Sequence, residues 1–264
     1  MRIVVCLKPV PDPKHWNRLR LDPETKTLIR EGIPNIINPL DKKALESALQ
    51  LREKEGGEVF TLSMAPPYIT PVLREALAMG ADHSILLSDV AFAGSDTLAT
   101  SYIMAAAIKR IGPWDLILCG DETLDGGTGQ VSPQMAEFLD VPNLMRVGFI
   151  EKLQEGVFRV RCQIEHGHMW VRVKSPAVFS VAKEINEPRY ITLMNILEGE
   201  KKGIEIWSAK DLALSEPWVG LQGSPSQMAD LLIPGTKRRG ELLQGEPVEM
   251  AETLADQLHR LGYC

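Results

Sequence analysis

The chain has 264 residues, enough for one large domain or for one domain with an extension. Its hydrophobic content of 44% and charged content of 24% are ordinary for a globular protein, and its net charge of −6 argues against non-specific nucleic-acid binding. No apolar run reaches the roughly 20 residues that a membrane span needs, so we expect no direct membrane insertion. The four cysteines are scattered without a C-x-x-C pair, which fits a reducing, cytoplasmic compartment.

Apolar runs alternate with amphipathic segments over the first 140 residues. The predicted strands are Arg2–Leu7, Glu58–Met64, His83–Leu87 and Leu116–Cys119. The predicted helices are one that opens at Asn38–Asp41 and stops at Gly56, then Val72–Met79, Asp96–Ile111 and Ser132–Leu139. Asn38 is a plausible cap of the first helix, and Pro39 suits its first position. This alternation predicts an α/β fold with a doubly wound, mostly parallel sheet.

The pattern changes after about residue 145. Two alternating runs, Val157–Ile164 and Met169–Val173, flank a turn at Glu165–His168 and predict a β-hairpin. A buried strand at Pro176–Ala182 follows, and from about Asn186 the chain becomes less regular. We therefore divide it into an α/β domain, residues 1–195, and a C-terminal arm, residues 196–264, that ends in an amphipathic helix at Val248–Leu261.

A glycine-rich stretch, C-G-D-E-T-L-D-G-G-T-G-Q-V, runs from Cys119 to Val131 between a strand and a helix. Glycine lets a backbone approach a phosphate closely, and a helix N-terminus offers unpaired N–H groups and a positive dipole end. The spacing matches neither G-x-x-x-x-G-K-[ST] nor G-x-G-x-x-G. Since such turns also arise for steric reasons, the stretch alone leaves nucleotide binding and a plain turn equally open.

A second segment, F-A-G-S-D-T-L-A-T-S from Phe92 to Ser101, follows the third strand and opens the long helix. Ser95 or Asp96 can simply cap that helix. The alternative is that Gly94, Thr97, Thr100 and Ser101 donate to a phosphate at the helix start. Two such segments after successive strands favour a ligand with two phosphates.

Other polar clusters give weaker signals. His166 and His168 lie in the predicted hairpin turn without a third metal ligand at a useful spacing, so a structural role is favoured. Asp121, Glu122 and Asp125 are close enough in sequence to hold a metal or act as acid and base, but in such a loop carboxylates more often bind ribose hydroxyls or ring N–H groups. The lack of a clear nucleophile or acid–base pair points to a cofactor carrier.

Several motifs, in this order, resemble those of the β subunits of electron-transfer flavoproteins. The resemblance covers nearly the whole chain. The matching segments are C-L-K-P-V-P-D from Cys6, N-P-L-D from Asn38 with A-L-E from Ala44, A-L-A-M-G-A-D from Ala76, D-G-G-T-G-Q-V from Asp125 and N-E-P-R-Y from Asn186.

The resemblance implies a Rossmann-like domain of the adenine-nucleotide α-hydrolase type that pairs with an α subunit as a heterodimer. The α subunit carries FAD on a mobile domain, to which the C-terminal helix of the β subunit attaches. The resemblance also implies that Leu193, which lies after the N-E-P-R-Y motif, docks on an acyl-CoA dehydrogenase or a related oxidoreductase. The implied nucleotide pocket comprises Cys6, Asn38, Asp41, Met64, Gly120, Asp121, Glu122, Thr123, Leu124, Asp125, Gly126, Gly127, Thr128, Gly129, Gln130 and Val131, with Gly94, Asp96, Thr97, Thr100 and Ser101 from the second segment.

Ordinary members of this family hold AMP in the β subunit, whereas electron-bifurcating members hold a second FAD that takes a hydride from NADH. The Phe92–Ser101 segment is similar to bifurcating members, so we expect FAD, with AMP as the alternative. Glu122, Gly127 and Gln163 depart from the usual family residues. A further alternative, from a different class, is an adenine-nucleotide hydrolase or ligase on a similar fold, for which ATP turnover would be the test.

Overall fold

The structure, a computed structural model, describes residues 1–18, 20–21, 28–29, 33–227 and 240–263. The chain separates into two compact units, Met1–Ala229 and Asp230–Cys264. None of the helices in the described residues combines the length and apolar composition that crossing a bilayer requires.

Alternating strands and helices build the first unit. The strands of the described residues are β1 (Arg2–Cys6), β2 (Pro9–Pro11), β3 (Arg20–Leu21), β4 (Leu28–Ile29), β5 (Asn35–Ile37), β6 (Glu58–Met64), β7 (His83–Leu87), β8 (Leu116–Gly120), β9 (Asn143–Gln154), β10 (Val157–Ile164), β11 (Gly167–Lys174), β12 (Ala177–Val181) and β13 (Glu205–Trp207). The helices are α1 (Pro39–Glu55), α2 (Thr70–Met79), α3 (Thr97–Ile111), α4 (Val131–Leu139), α5 (Leu193–Lys201) and, in the second unit, α6 (Pro247–Arg260). Short 3-10 turns lie at Pro13–Arg18, Pro67–Ile69, Val90–Phe92 and Glu216–Trp218.

Nine of these strands form one sheet in the order β11-β10-β9-β12-β8-β1-β6-β7-β13. In this sheet order, all neighbouring strands between β9 and β13 pair parallel. The hairpin strands β10 and β11 pair antiparallel and extend the sheet beyond β9. The central strands are continuous apolar runs because helices cover both of their faces. One apolar cluster packs α1 and α2 on one face, and the other packs α3 and α4 on the opposite face. This architecture confirms the predicted doubly wound α/β fold and its added hairpin.

The structure corrects the sequence prediction at several elements. The predicted helix at Val72–Met79 begins at Thr70, and the one at Asp96–Ile111 begins at Thr97 with Asp96 as its cap. Strand β9 was not predicted, because the buried residues of its sequence do not alternate regularly. The region after Asn186 is more regular than predicted, since it contains α5 and β13. The expected division between residues 195 and 196 lies within the range of α5 and stays a prediction.

Helix α5 packs closely on α2 through a glycine. A Cβ added at Gly199 would lie 2.9 Å from the backbone nitrogen of Ala78, so the two helices approach too closely for any side chain there. Arg74 Nη1 of α2 also donates to the Gly199 carbonyl at 3.1 Å. The contact turns the apolar side chains of the first turn of α5 toward solvent, with Leu193 71% exposed and Met194 65% exposed.

Helix α6 in the second unit is amphipathic, but none of its residues is buried. The apolar residues Val248, Leu254, Leu258 and, just beyond the helix, Leu261 are all exposed. Leu254, Leu258 and Leu261 follow one another at spacings of four and three residues, so they lie along one side of the helix, whereas Val248, six residues before Leu254, does not. The sequence prediction of a C-terminal amphipathic helix is thus confirmed, with its bounds moved by one residue at each end.

Arg189 ties the segment before α5 to α1. Its Nε and Nη2 donate to the two carboxylate oxygens of Glu46 at 2.8 and 3.1 Å, and its Nη1 donates to Glu53 at 2.5 Å. Glu46 is almost fully buried, whereas the Glu53 side chain is half exposed. Burial alone would raise the pKa of the Glu46 carboxyl, but hydrogen bonds from Arg189 and Gln50 outweigh it and hold that pKa below its ordinary value.

We expect Arg189→Ala to lower the free energy of unfolding at pH 7 by about 3 kcal/mol, because Glu46 is left buried without its cation. Since the folded-state pKa of Glu46 is depressed, its stabilising contribution is lost as the pH falls below the ordinary carboxyl range. The difference between wild type and variant therefore shrinks in acid. Urea unfolding from pH 7 to pH 3 measures it. The control Glu53→Gln, at the exposed partner, changes stability by less than about 1 kcal/mol, and equal effects of the two substitutions would contradict the assignment.

Candidate functional site

A cavity of about 330 Å³ opens at the carboxyl ends of β1, β6 and β8. The chain passes from β1 to β6 on one side and later returns to β8 on the other, so the strand order reverses at β1. Open α/β sheets bind their ligands at this kind of position. The cavity is lined by Cys6, Leu7, Lys8, Asp41, Met64, Ser95, Asp96, Thr97, Thr100, Met104, Cys119, Gly120, Asp121, Glu122, Thr123, Gly126, Thr128, Gly129, Gln130, Val131 and Ser132.

Most of the residues expected from the sequence therefore line one cavity. Expected residues outside the lining are Asn38, Gly94, Ser101, Leu124, Asp125 and Gly127. Lining residues that were not expected are Leu7, Lys8, Ser95, Met104, Cys119 and Ser132. Met104 lies seven residues after Thr97 on α3, so helical periodicity is the signal that identifies it once the first turn of α3 is placed at the cavity.

Asp41 holds the ends of two strands together. Its Oδ2 accepts a hydrogen bond from the backbone N–H of Lys8 at 2.7 Å, and its Oδ1 accepts one from the N–H of Gly120 at 2.8 Å. The side chain is buried, and burial raises the pKa of Asp41 from 3.8 to about 6 despite these hydrogen bonds. Gly120 has no room for a side chain, since an added Cβ would lie 2.6 Å from both Asp41 Oδ1 and Leu40 Cβ.

Asn38 holds the glycine-rich loop and does not cap α1 through its side chain, although it occupies the predicted N-cap position. Its Nδ2 donates to the Glu122 carbonyl at 2.9 Å, and its Oδ1 accepts from the Leu124 N–H at 3.2 Å. Because the side chain is buried and spans the loop, its polar atoms are used there and not at the helix start. Asn38 thus shapes the loop from behind.

The start of α4 faces the cavity with its backbone N–H groups available. Gln130 at the N-cap makes no side-chain capping bond, and the first turn of any helix has N–H groups without intrahelical acceptors. Two glycines of the preceding loop, Gly127 and Gly129, have φ of 57° and 62°, the left-handed region that glycine adopts without strain. This combination of loop and helix end is suited to an anion.

The start of α3 is arranged differently. Asp96 caps it by accepting from the N–H groups of Leu98 and Ala99 at 2.9 and 3.0 Å. Ser101 is fully buried, and its hydroxyl donates to the Thr97 carbonyl at 2.7 Å. Gly94 has φ 76° and packs against Leu221. The cap therefore occupies the N–H groups of Leu98 and Ala99 at this helix start, which are not among the residues expected to donate to a phosphate.

Threonine side chains of α3 remain at the cavity. Thr97 Oγ1 donates to Gln130 Oε1 at 3.1 Å, which joins the start of α3 to the loop before α4. Thr97, Thr100 and Met104 follow the helical spacing of three and four residues, so they form one face of α3 along the cavity. Seven residues of helix extend about 10 Å.

The described lining residues include one cation, Lys8. Its Nζ lies 2.7 Å from Asp125 Oδ1, and the pair connects the end of β1 to the glycine-rich loop. Asp121 is also held, since Ser180 Oγ donates to its Oδ1 at 2.6 Å. Among the described residues there is no group of three His, Cys, Asp or Glu side chains that could bind a metal ion. His166 lies in the turn between β10 and β11, as expected, and His168 lies at the start of β11.

The family model for the electron transfer flavoprotein domain matches residues 25–212. The chain is 43% identical over 260 residues, 98% of both chains, to the electron transfer flavoprotein subunit beta of Thermoanaerobacterium thermosaccharolyticum. The chain belongs to the β-subunit family of electron transfer flavoproteins. It is also 42% identical over 98% of both chains to the caffeyl-CoA reductase-Etf complex subunit CarD of Acetobacterium woodii. Protein FixA of Azorhizobium caulinodans is 39% identical, with 90% of this chain and 86% of that protein covered.

We expect Gly120→Ala to lower the free energy of unfolding by about 1–3 kcal/mol, because the added methyl group forces Asp41 and Leu40 apart. The control is Gly203→Ala, where an added Cβ meets nothing within 4 Å and φ is not left-handed. Urea unfolding of both variants measures the difference. Equal stability of the two would contradict the close contact at Gly120.

Proposed function

We propose that the chain is the β subunit of a heterodimeric electron-transfer flavoprotein and that it holds FAD in this cavity. The observation that supports FAD most is the extent of the cavity, which runs from the uncapped start of α4 along two turns of α3 to Met104. A mononucleotide phosphate needs only the loop and the start of α4. The face formed by Thr97, Thr100 and Met104 offers a further surface for the remainder of a dinucleotide.

Within this proposal, each part of the site has a separate task. The first N–H groups of α4 and the left-handed glycines receive a phosphate, and the Lys8 ammonium compensates negative charge. An apolar, polarisable surface for the flavin or adenine ring is provided by Met64, Met104 and the buried thiols of Cys6 and Cys119. Bound FAD supplies the hydride and single-electron chemistry, while the protein positions it and sets its electrostatic surroundings.

We further propose that the chain acts in electron bifurcation, with NADH as donor, because the Phe92–Ser101 segment is similar to bifurcating members of the family. The relatives' names support a partner that acts on CoA thioesters, since they include a caffeyl-CoA reductase complex subunit and, in Anaerotignum propionicum, the acryloyl-CoA reductase electron transfer subunit gamma. On this basis the chain passes electrons between NADH or an acyl-CoA dehydrogenase and a second acceptor. We propose a cytoplasmic location, for which free buried cysteines such as Cys6, Cys119 and Cys162 are typical.

The second candidate is an ordinary electron carrier in which AMP stabilises the β subunit. The capping of α3 by Asp96 and the burial of Ser101 favour it, because they leave one helix N-terminus instead of two for phosphate. In that case the cavity serves the fold of the heterodimer and no redox chemistry takes place in it.

Nucleotide analysis distinguishes the two candidates. We expect the chain, purified with its α subunit and denatured by heat, to release two FAD per heterodimer. One FAD and one AMP per heterodimer would contradict the FAD proposal and support the structural AMP.

Thr100→Val is expected to reduce the FAD content of the β subunit, since it removes a hydroxyl from the α3 face of the cavity. Ser226→Ala, which alters a surface position outside the cavity lining, is the control.

We propose that the exposed side chains before and within α5 dock on the dehydrogenase. Tyr190 is 97% exposed and Leu193 is 71% exposed, and the Arg189–Glu46 contact and the Gly199–Ala78 contact fix the segment on both sides. The C-terminal helix α6, with its exposed apolar side, is proposed to pack on the α subunit. Both assignments follow the sequence expectations of a partner-docking segment around Leu193 and of a C-terminal arm that packs on the α subunit.

Leu193→Ala is expected to slow electron transfer to an acyl-CoA dehydrogenase by about tenfold or more, as for an apolar residue central to an interface. The nucleotide content stays unchanged, because Leu193 lies outside the cavity. Stopped-flow kinetics of flavin oxidation measure the rate. Val90→Ala serves as the control, since Val90 is equally apolar and 90% exposed but belongs to another surface. An equal rate loss in both variants would contradict docking at α5.

A further inference from the structure

Two cysteines lie side by side at the base of the cavity. In the parallel pair of β1 and β8, Val5 is the register partner of Leu118, and the next residue on each strand is a cysteine, Cys6 and Cys119. Neighbouring strands are about 4.8 Å apart, and in-register side chains of a parallel pair point to the same face. That spacing lies within the Cα separations that two bridged cysteines adopt.

Independent observations agree with this register. Cys6 and Cys119 belong to the same apolar cluster, and both line the cavity. Cys6 Sγ lies 3.9 Å from Met135 Sδ, and Cys119 Sγ lies 3.8 Å from the Phe179 carbonyl and also has a hydrogen bond with the Ser132 side chain. All of these are hydrogen bonds of sulfur, which is a weak donor and a weak acceptor.

The two thiols stay protonated at neutral pH. Burial raises the pKa of Cys119 to about 12, with the Asp41 carboxylate adding to the effect. Burial likewise raises the pKa of Cys6 well above its ordinary value, with contributions from Cys119 and Asp41. Reaction with electrophiles that need a thiolate nucleophile is disfavoured for this reason. A reagent that exchanges with two neutral thiols at once is favoured.

We propose that Cys6 and Cys119 form a vicinal dithiol that binds trivalent organoarsenicals when the cavity holds no nucleotide. In the reaction with phenylarsine oxide, both S–H bonds break and two As–S bonds form. The oxygen leaves arsenic with the two protons as one water molecule, so no electron is gained or lost. The bridged arsenical then occupies the base of the cavity and blocks nucleotide loading.

Cys162 is the matched comparison within the chain. It is also buried, but it belongs to the cluster on the opposite face of the sheet. Its register partners are Met169 on β11 and Val147 on β9, so neither adjacent strand offers it a second thiol.

The test uses the full chain after nucleotide removal, incubated with phenylarsine oxide and then passed through a desalting column. Mass spectrometry is expected to find one arsenical per chain, and digestion is expected to yield the Cys6 and Cys119 peptides joined through arsenic. Cys6→Ser and Cys119→Ser each weaken retention at least about tenfold, because the second bond is intramolecular. Cys162→Ser behaves as wild type.

Labelling after reloading with nucleotide tests the second half of the proposal. We expect AMP or FAD to slow the formation of the bridge strongly, because the nucleotide covers both thiols. Absence of the joined peptides in the nucleotide-free wild type would overturn the dithiol, even if the serine variants fail to fold. Equal labelling with and without nucleotide would overturn its location beneath the nucleotide.

Discussion

The Asp41 carboxylate is the interaction on which the cavity depends. It belongs to α1, yet its two oxygens hold the N–H groups that follow β1 and end β8. Because burial raises its pKa to about 6, its contribution to the free energy of unfolding falls as the pH rises from 3.8 to about 6. Above that pH the hydrogen bonds from the two N–H groups offset only part of the cost of burying the charge. The buried carboxylate thus lowers the free energy of unfolding at neutral pH, and its two hydrogen bonds fix the distance between the ends of β1 and β8.

The rest of the site follows from that fixed distance. Asp41 fixes the end of β8, and the loop after it is held by two further contacts. Asn38 donates to the Glu122 carbonyl, and Lys8 pairs with Asp125. The helix that follows, α4, has no side-chain cap on its first N–H groups, whereas Asp96 accepts from the first N–H groups of α3. The two helix starts therefore differ in chemistry, because an aspartate at one N-cap is an internal anion and a glutamine at the other is not.

The central fold was predictable because buried parallel strands and amphipathic helices leave clear apolar periods. The short strand β13 was not, since its three residues lie at the sheet edge and Ile206 remains exposed. At the site, glycine spacing indicated the loop, but the roles of Asn38 and Ser101 required coordinates. A polar side chain beside a helix start has the same sequence signature whether it caps, braces a distant loop or bridges two helices. The sequence did not identify Lys8 and Cys119 as lining residues. Lys8 follows β1 and Cys119 lies within β8, and the apolar sequences of both strands indicate only buried core.

The absence of a side chain at Gly199 has a consequence beyond packing. The glycine lies about two turns from Leu193 and is itself buried. Yet a single methyl group there would lift α5 from Ala78 and displace every apolar side chain that the helix presents. The position of the exposed apolar side chains of α5 thus depends on a buried residue, Gly199. Variation at such a position would alter the exposed apolar surface of α5 while every residue at that surface stayed the same.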